Sequence, residues 1–308
     1  DPYMFYLDKV AHMVNPWIVR ALLDAAGPDR VTLVGAAAWA AYLTMPLHTQ
    51  DLDFVVAGAT AVELRGVLDG VVGDISRRDE VQRAVAAMNA AIGAHRSLRR
   101  HGGADDAVID VADMAAHVRA AAVGAPPITE AGCAQCFHVK RNLTGWKLQL
   151  GHRTLVDVGA AAADTDPAGR AAVTVSHVLP TCTVWPYSAA IDPTVPVASP
   201  TELVRYLHKS LTSGSHWRLQ KDLPRLRLIS HEAWMARSRT HMPAAAVSPR
   251  QEPLASEGLA ESLWTITAHF DSEWAALARV QTPWAVIHLT PPPSRSPPPS
   301  PNSAGRGR

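Results

Sequence analysis

Cysteine is scarce: three in 308 residues. A chain this long with so few cannot rest on a disulfide framework, and a reducing compartment is expected. Charge of one sign is lacking too. Lys+Arg 29 against Asp+Glu 28 leaves +1, which excludes a global electrostatic attraction to nucleic acid or to a membrane surface. Charged residues make up 19%, below the usual ~25%. No apolar run reaches the ~18 residues of a membrane-spanning helix, and no signal-peptide pattern opens the sequence. A chain that starts at Asp1 rather than Met is expected to lack its natural start. What is abundant is apolar residue, at 47%, too much for a wholly disordered chain. The length is ample for one large domain or two ordinary ones. The expectation is a soluble, intracellular, globular protein.

The chain alternates helix and strand signals. Asn15-Pro16 reads as a helix start and Gly27-Pro28 as its end. Residues 31–34 form a short apolar strand ending at Gly35, and residues 36–43 are Ala-rich and expected helical. Residues 52–56 read as a second strand, and Thr60-Ala61-Val62-Glu63 as a capping box opening the next helix. Residues 79–124 read as Ala-rich helix with a basic loop near 96–103. A meander of three strands follows at 137–143, 146–150 and 154–158, and residues 160–198 look like loop. Ser199-Pro200-Thr201-Glu202 combines a capping box with Pro at the first helical position. The helix it opens is broken at Gly214, and a second follows from about 216 to 235, with Pro224 expected to kink it. Residues 237–258 mix Pro, Ser and Arg like a linker. Leu259, Leu263, Ile266, Phe270 and Leu277 then recur at helical spacing. Residues 291–308 carry a polyproline-leaning, disordered composition.

Chemistry concentrates in residues 31–56. Side chains alternate along a strand, so Asp51 and Asp53 project from one face while Leu52, Phe54 and Val56 bury the other. Two such carboxylates can share a divalent cation of the Mg²⁺ type, which prefers oxygen ligands. A solvated turn or helix cap is the plainer reading of a D-x-D alone. Here it follows strand, Gly35 and helix, and a glycine in that place lets backbone N–H groups approach a phosphate. Residues 201–250 hold nine Lys/Arg against three Asp/Glu. Lys209, Arg218, Lys221 and Arg225 therefore read either as a solvated helix face or as a basic surface for phosphate. Cys133-Ala-Gln-Cys136, with His138 and His152 nearby and Cys182 isolated, is read as small buried thiols rather than a zinc knuckle. The nine tryptophans are expected mostly in packing roles.

The run VGAAAWAAYLTMPLHTQDLDFVV resembles the h-G-[GS]…D-h-D motif of the nucleotidyltransferase superfamily, the DNA polymerase beta-like fold. FHVKRNLTGWKLQLGHRTLVDVGAA is similar to the strands that carry that fold's third carboxylate, and the segment from VPVASPTELVRYLHKSL to KDLPRLRLI to the helices following it in poly(A) polymerase catalytic-subunit-like proteins of large DNA viruses. Together these cover roughly residues 31–229. The resemblance implies an α/β (α+β) fold with a small mixed sheet: a catalytic domain at 1–165, a mainly helical region at 166–290, and the tail at 291–308. It implies Mg²⁺-dependent transfer of a nucleoside monophosphate from ATP or another NTP to an RNA 3′-hydroxyl, with two ions ~3.5–4 Å apart. Asp51, Asp53 and Asp157 would be catalytic and would ligate metal. Gly35, Ala36, Lys209, Arg218 and Lys221 would hold the nucleotide, with Lys209 the expected phosphate ligand. Asp110 competes for the third carboxylate, but its neighbours fit helical spacing and Asp157 is preferred. Ala36 stands where the motif has Gly or Ser, removing a hydroxyl or some backbone freedom at the phosphate. The resemblance also leaves a toxin-like enzyme acting on tRNA or protein, or a non-catalytic RNA-binding relative. It implies an infected-cell or virion setting, a protein processivity partner and no membrane.

Overall fold

The computed structural model describes residues 2–44, 47, 49, 51–101, 111–143, 145–161, 171–178, 191–213, 215–240 and 248–281. Asp110, Cys182, Gly214 and the tail 291–308 lie outside them. The first element is helix α1 (Pro2–Ala26), which runs straight past the expected start at Asn15 and contains Pro16. Proline inside a helix costs ~3 kcal/mol. The helix outweighs that by burying Val10, Val14, Ile18, Val19 and Leu22 completely, each such side chain stabilising by ~1.5–3 kcal/mol. Gly27, at φ +88, ends α1 with its N–H on the Leu23 carbonyl at 3.0 Å.

Strand β1 (Val31–Val34) is buried throughout. The Ala-rich stretch after it splits into a single turn, α2 (Gly35–Ala38), and a 3₁₀ turn (Trp39–Ala41), where one helix to residue 43 is expected. Strand β2 (Leu52–Ala57) comes next, then α3 (Ala61–Ser76). The capping box is present: Glu63 N–H donates to Thr60 Oγ1 at 3.2 Å, and Thr60 N–H to Glu63 Oε2 at 2.7 Å. Helix α4 (Asp79–His101) continues through the basic stretch expected as loop, followed by α5 (Val111–Val123) and the short α6 (Glu130–Ala134). The meander is β3 (Phe137–Arg141), β4 (Gly145–Leu150) and β5 (Arg153–Ala161).

Within the stretch expected as loop, β6 (Ala172–Thr174), α7 (Val175–Val178) and β7 (Thr194–Pro196) are ordered, and β6 and β7 pair as an antiparallel ribbon. Helix α8 (Pro200–Leu211) starts at the expected Ser199 cap, whose hydroxyl accepts the Glu202 N–H. The Glu202 carboxylate turns instead to Arg205, 2.9 Å away. Helix α9 (His216–Thr240) passes through Pro224 and five residues beyond the expected end at 235. The expected linker is shorter than its composition implies, because residues 248–256 hold a 3₁₀ turn (Glu252–Leu254) with Gln251 and Leu254 buried. Helix α10 (Glu257–Gln281) then packs on α9 and α8, burying Leu259, Leu263 and Phe270.

The five-stranded sheet is mixed, in the order β1-β2-β5-β4-β3, with β2 and β5 parallel and the other pairs antiparallel. It does not close into a barrel. Helices α1 and α3 pack on the sheet and α4 packs on them, while α2 lies between β2 and α8. Beyond β7, Val197 bridges Leu33 in parallel and the Ala198 N–H reaches the Leu33 carbonyl at 3.1 Å, so the returning chain covers the β1 edge. One continuous set of buried residues runs from Val10 to Phe270. Among the described residues no helix is long and apolar enough to cross a membrane.

Candidate functional site

Strands β2 and β5 set the site because they are parallel and in register. Asp53 is the direct partner of Asp157, and neighbouring strands lie ~4.8 Å apart. Directly paired residues project to the same face, so the two carboxyl groups stand side by side. Asp51 lies just before β2 starts at Leu52. Thr49 Oγ1 steadies it, 2.9 Å from its backbone carbonyl and 3.5 Å from Oδ1.

On the other flank, Val34 pairs with Asp53 and leads into Gly35, whose φ is +70. A Cβ at position 35 would overlap Asp53 Oδ2 and stand 2.8 Å from Cγ. The glycine is thus required twice, for its left-handed backbone and for the carboxyl group pressed against it.

Crowding has an electrostatic consequence. Burial, together with the charges of Asp51 and Asp157, pushes the Asp53 carboxyl up to about 7, while Lys221 and Arg225 act in the opposite direction. Asp157 is also raised, first by burial; Lys147 and Asn142 oppose this and Asp51 adds to it. Lys147, paired with Asp157 across β4 and β5, has Nζ 3.6 Å from Asp157 Oδ2. Asn142 donates from Nδ2 to Asp157 Oδ1. Its own place is fixed by the β3–β4 turn, where its N–H bonds the Gly145 carbonyl at 3.0 Å.

No family model, curated protein or solved structure matches this chain.

Gly35, Asp51, Asp53 and Asp157 are brought together. Ala36 follows Gly35, partly buried, in a helix of only four residues, too short for a substantial dipole. Lys221 and Arg225, on α9, are the two cations that act on Asp53. Arg218 is turned elsewhere: its Nη1 lies 3.1 Å from Ser210 Oγ and its guanidinium stands 5.9 Å from the Trp217 ring centroid. Lys209 is exposed near the end of α8 and is not among the charges acting on Asp53. Sequence reasoning missed Asn142 and Lys147. Neither is legible in the sequence: Lys147 reaches Asp157 only through a register shift between Leu148 and Gln149, and Asn142 only through the fold.

Cys133 is buried, with its thiol pushed up to about 11 mainly by burial, and both it and Cys136 are free thiols. Among the described residues no group of three or more His, Cys, Asp or Glu is arranged, as it stands, to hold a metal ion.

Proposed function

We propose that the chain is a Mg²⁺-dependent nucleotidyltransferase that adds a nucleoside monophosphate from ATP or another NTP to an RNA 3′-hydroxyl, with polyadenylation the foremost candidate. The observation that carries this is the meeting of Asp51, Asp53 and Asp157 at one strand mouth, with the Asp53 carboxyl raised to about 7 by burial and by the other two. A half-buried cluster of like charges costs free energy that a divalent cation offsets, and carboxylate oxygens are the donors Mg²⁺ selects. The residues fit the ion in donor type and in charge. Asp51, Asp53 and Asp157 would hold it, and bound there it would neutralise the triphosphate and acidify the attacking hydroxyl.

The chain's own groups supply the rest. Asp157, partly exposed and raised, receives the proton of the acceptor hydroxyl at Oδ2. Lys147, 3.6 Å from that oxygen, balances its charge. Lys221 and Arg225 reach the same point from α9 and pair with phosphate oxygens. Gly35 leaves room for the Asp53 carboxyl to keep its orientation.

The test is incorporation of label from α-phosphate-labelled ATP into short RNA with Mg²⁺. The wild type labels RNA, and an Asp51→Asn, Asp53→Asn double variant does not. Undiminished labelling by the double variant overturns the assignment.

A non-catalytic RNA-binding relative is the second reading, favoured by one observation: both Asp157 oxygens already have protein partners, Asn142 and Lys147. Calorimetry separates the two, since the enzyme binds ATP in a Mg²⁺-dependent way and the relative does not.

A further inference from the structure

Helix α9 carries a row of side chains whose inner members, Lys221 and Arg225, act on the Asp53 charge. Trp217 is 59% exposed. Lys221 follows one turn later, exposed, and Arg225 a turn after that, half-buried, its Nη1 3.2 Å from Asp222 Oδ1. Lys221 Nζ lies 5.0 Å from the Trp217 ring centroid, and Arg218 approaches the same ring. The two cations hold the indole in place and leave most of its surface open. Its base is anchored as well, since His216 stacks on Trp274 of α10 at 5.2 Å and 29°. The exposed ring is set among charged and polar residues rather than in an apolar patch: Ser215, His216, Arg218, Gln220 and Lys221 are all exposed around it. Asp222 faces inward, bonded by Ser210 at 2.9 Å, so it leaves the row basic.

An exposed indole followed by cations at one-turn intervals suits a single strand of nucleic acid, whose bases stack while its phosphates follow the charges. Eight residues of helix span ~12 Å, the length of about three stacked nucleotides at ~3.4 Å each. We propose that Trp217, Lys221 and Arg225 form an entry track for a single-stranded acceptor. A base stacks on the Trp217 indole, and the backbone is led by Lys221 and Arg225 to the Asp51, Asp53 and Asp157 site. This rests on the nucleotidyltransferase reading for what happens at the inner end; the strand binding itself does not.

The experiment is fluorescence anisotropy with a labelled oligoadenylate of about twelve nucleotides, within the usual site sizes. Trp217→Ala weakens binding about tenfold, as the loss of one stacked base should. Trp217→Phe retains most of the affinity. Trp234→Ala, an exposed tryptophan elsewhere on α9, leaves it unchanged. Unaltered affinity in Trp217→Ala, an equal loss in Trp234→Ala, or equally good competition by duplex RNA overturns the track. The same variants in the labelling assay separate the two readings. Wild type that binds RNA through Trp217 but labels nothing removes the enzymatic reading and keeps the track. Wild type that labels RNA while Trp217→Ala shows an unchanged KM for RNA removes the track and keeps the enzyme.

Discussion

The Asp53 carboxyl is pressed against Gly35 on one side and shares its surroundings with Asp51 and Asp157. Its folded-state value of about 7 lies above the ordinary 3.8, so the unfolded chain binds fewer protons between those limits. Stability therefore falls as pH rises through that window and levels off above it. Replacing the carboxyl by an amide removes the effect. In the absence of divalent cations, Asp53→Asn melts at a higher temperature than wild type at pH 8, and the gap narrows toward pH 5. A lower melting temperature for the variant at pH 8 would show that Lys221 and Arg225 more than compensate the buried charge. Gly35→Ala goes the other way. The left-handed backbone alone costs an alanine about 1–2 kcal/mol, and the overlap with Asp53 adds to it; a urea midpoint measures the sum. The sequence marks Gly35 clearly, between a strand and a helix, and the natural reading is a phosphate cradle. Its role against Asp53 is invisible there, because it depends on Val34 pairing with Asp53 across eighteen intervening residues.

At the scale of elements, local signals are reliable where the cause is local. Thr60 and Glu63 satisfy each other's backbone within four residues, and α3 starts where they say. Thr60→Ala costs about 1 kcal/mol in a chemical denaturation midpoint. Ser199 opens α8 with half of that arrangement, its hydroxyl accepting the Glu202 N–H. Pro16 misleads for the converse reason. Proline suits a helix start, and only burial on both sides of it reveals that α1 runs through. Pro16→Ala restores an N–H for the carbonyl one turn earlier and removes the ring clash, so it raises stability by about 2 kcal/mol in the same measurement.

The hairpin β4–β5 shows a subtler limit. Counting back from its turn, where Leu150 pairs with Arg153 and Gln149 with Thr154, would put Lys147 opposite Val156. The register shifts between Leu148 and Gln149, leaving Leu155 as the extra residue and bringing Lys147 opposite Asp157. Leu155 and Val156 are both fully buried, where strict alternation would separate them. A bulge has no dependable sequence signature, and it is what gives Asp157 its lysine.

Across the whole molecule, the segment between β1 and β2 is fastened by residues distant in sequence. Glu232, buried on α9, accepts the Thr44 N–H at 2.7 Å and the Thr44 hydroxyl at 2.8 Å, and Gln251 lies 3.4 Å away. Arg250 Nε donates to the Ala41 carbonyl at 3.0 Å, and the Tyr42 hydroxyl to the Ala198 carbonyl at 2.8 Å. The resemblance implies a division near residue 165; Val197 and Ala198 edge β1, and the buried core is continuous across that point. Contacts made over such separations leave no local trace. Two consequences follow from this fastening. Residues 1–165 alone expose the β1 edge and lose the partners of Thr44 and Tyr42, so that fragment gives no cooperative melt, whereas the full chain unfolds in one transition. Glu232→Ala strips the Thr44 amide of its acceptor at a cost of about 1–3 kcal/mol, and frees the chain seven residues before Asp51. If the proposed function holds, its loss of ATP affinity exceeds that of Glu232→Gln, which keeps one acceptor oxygen for Thr44. Equal affinities in the two variants, each compared with its own melting temperature, would show that the clamp serves stability alone and that the carboxylates hold their places without it.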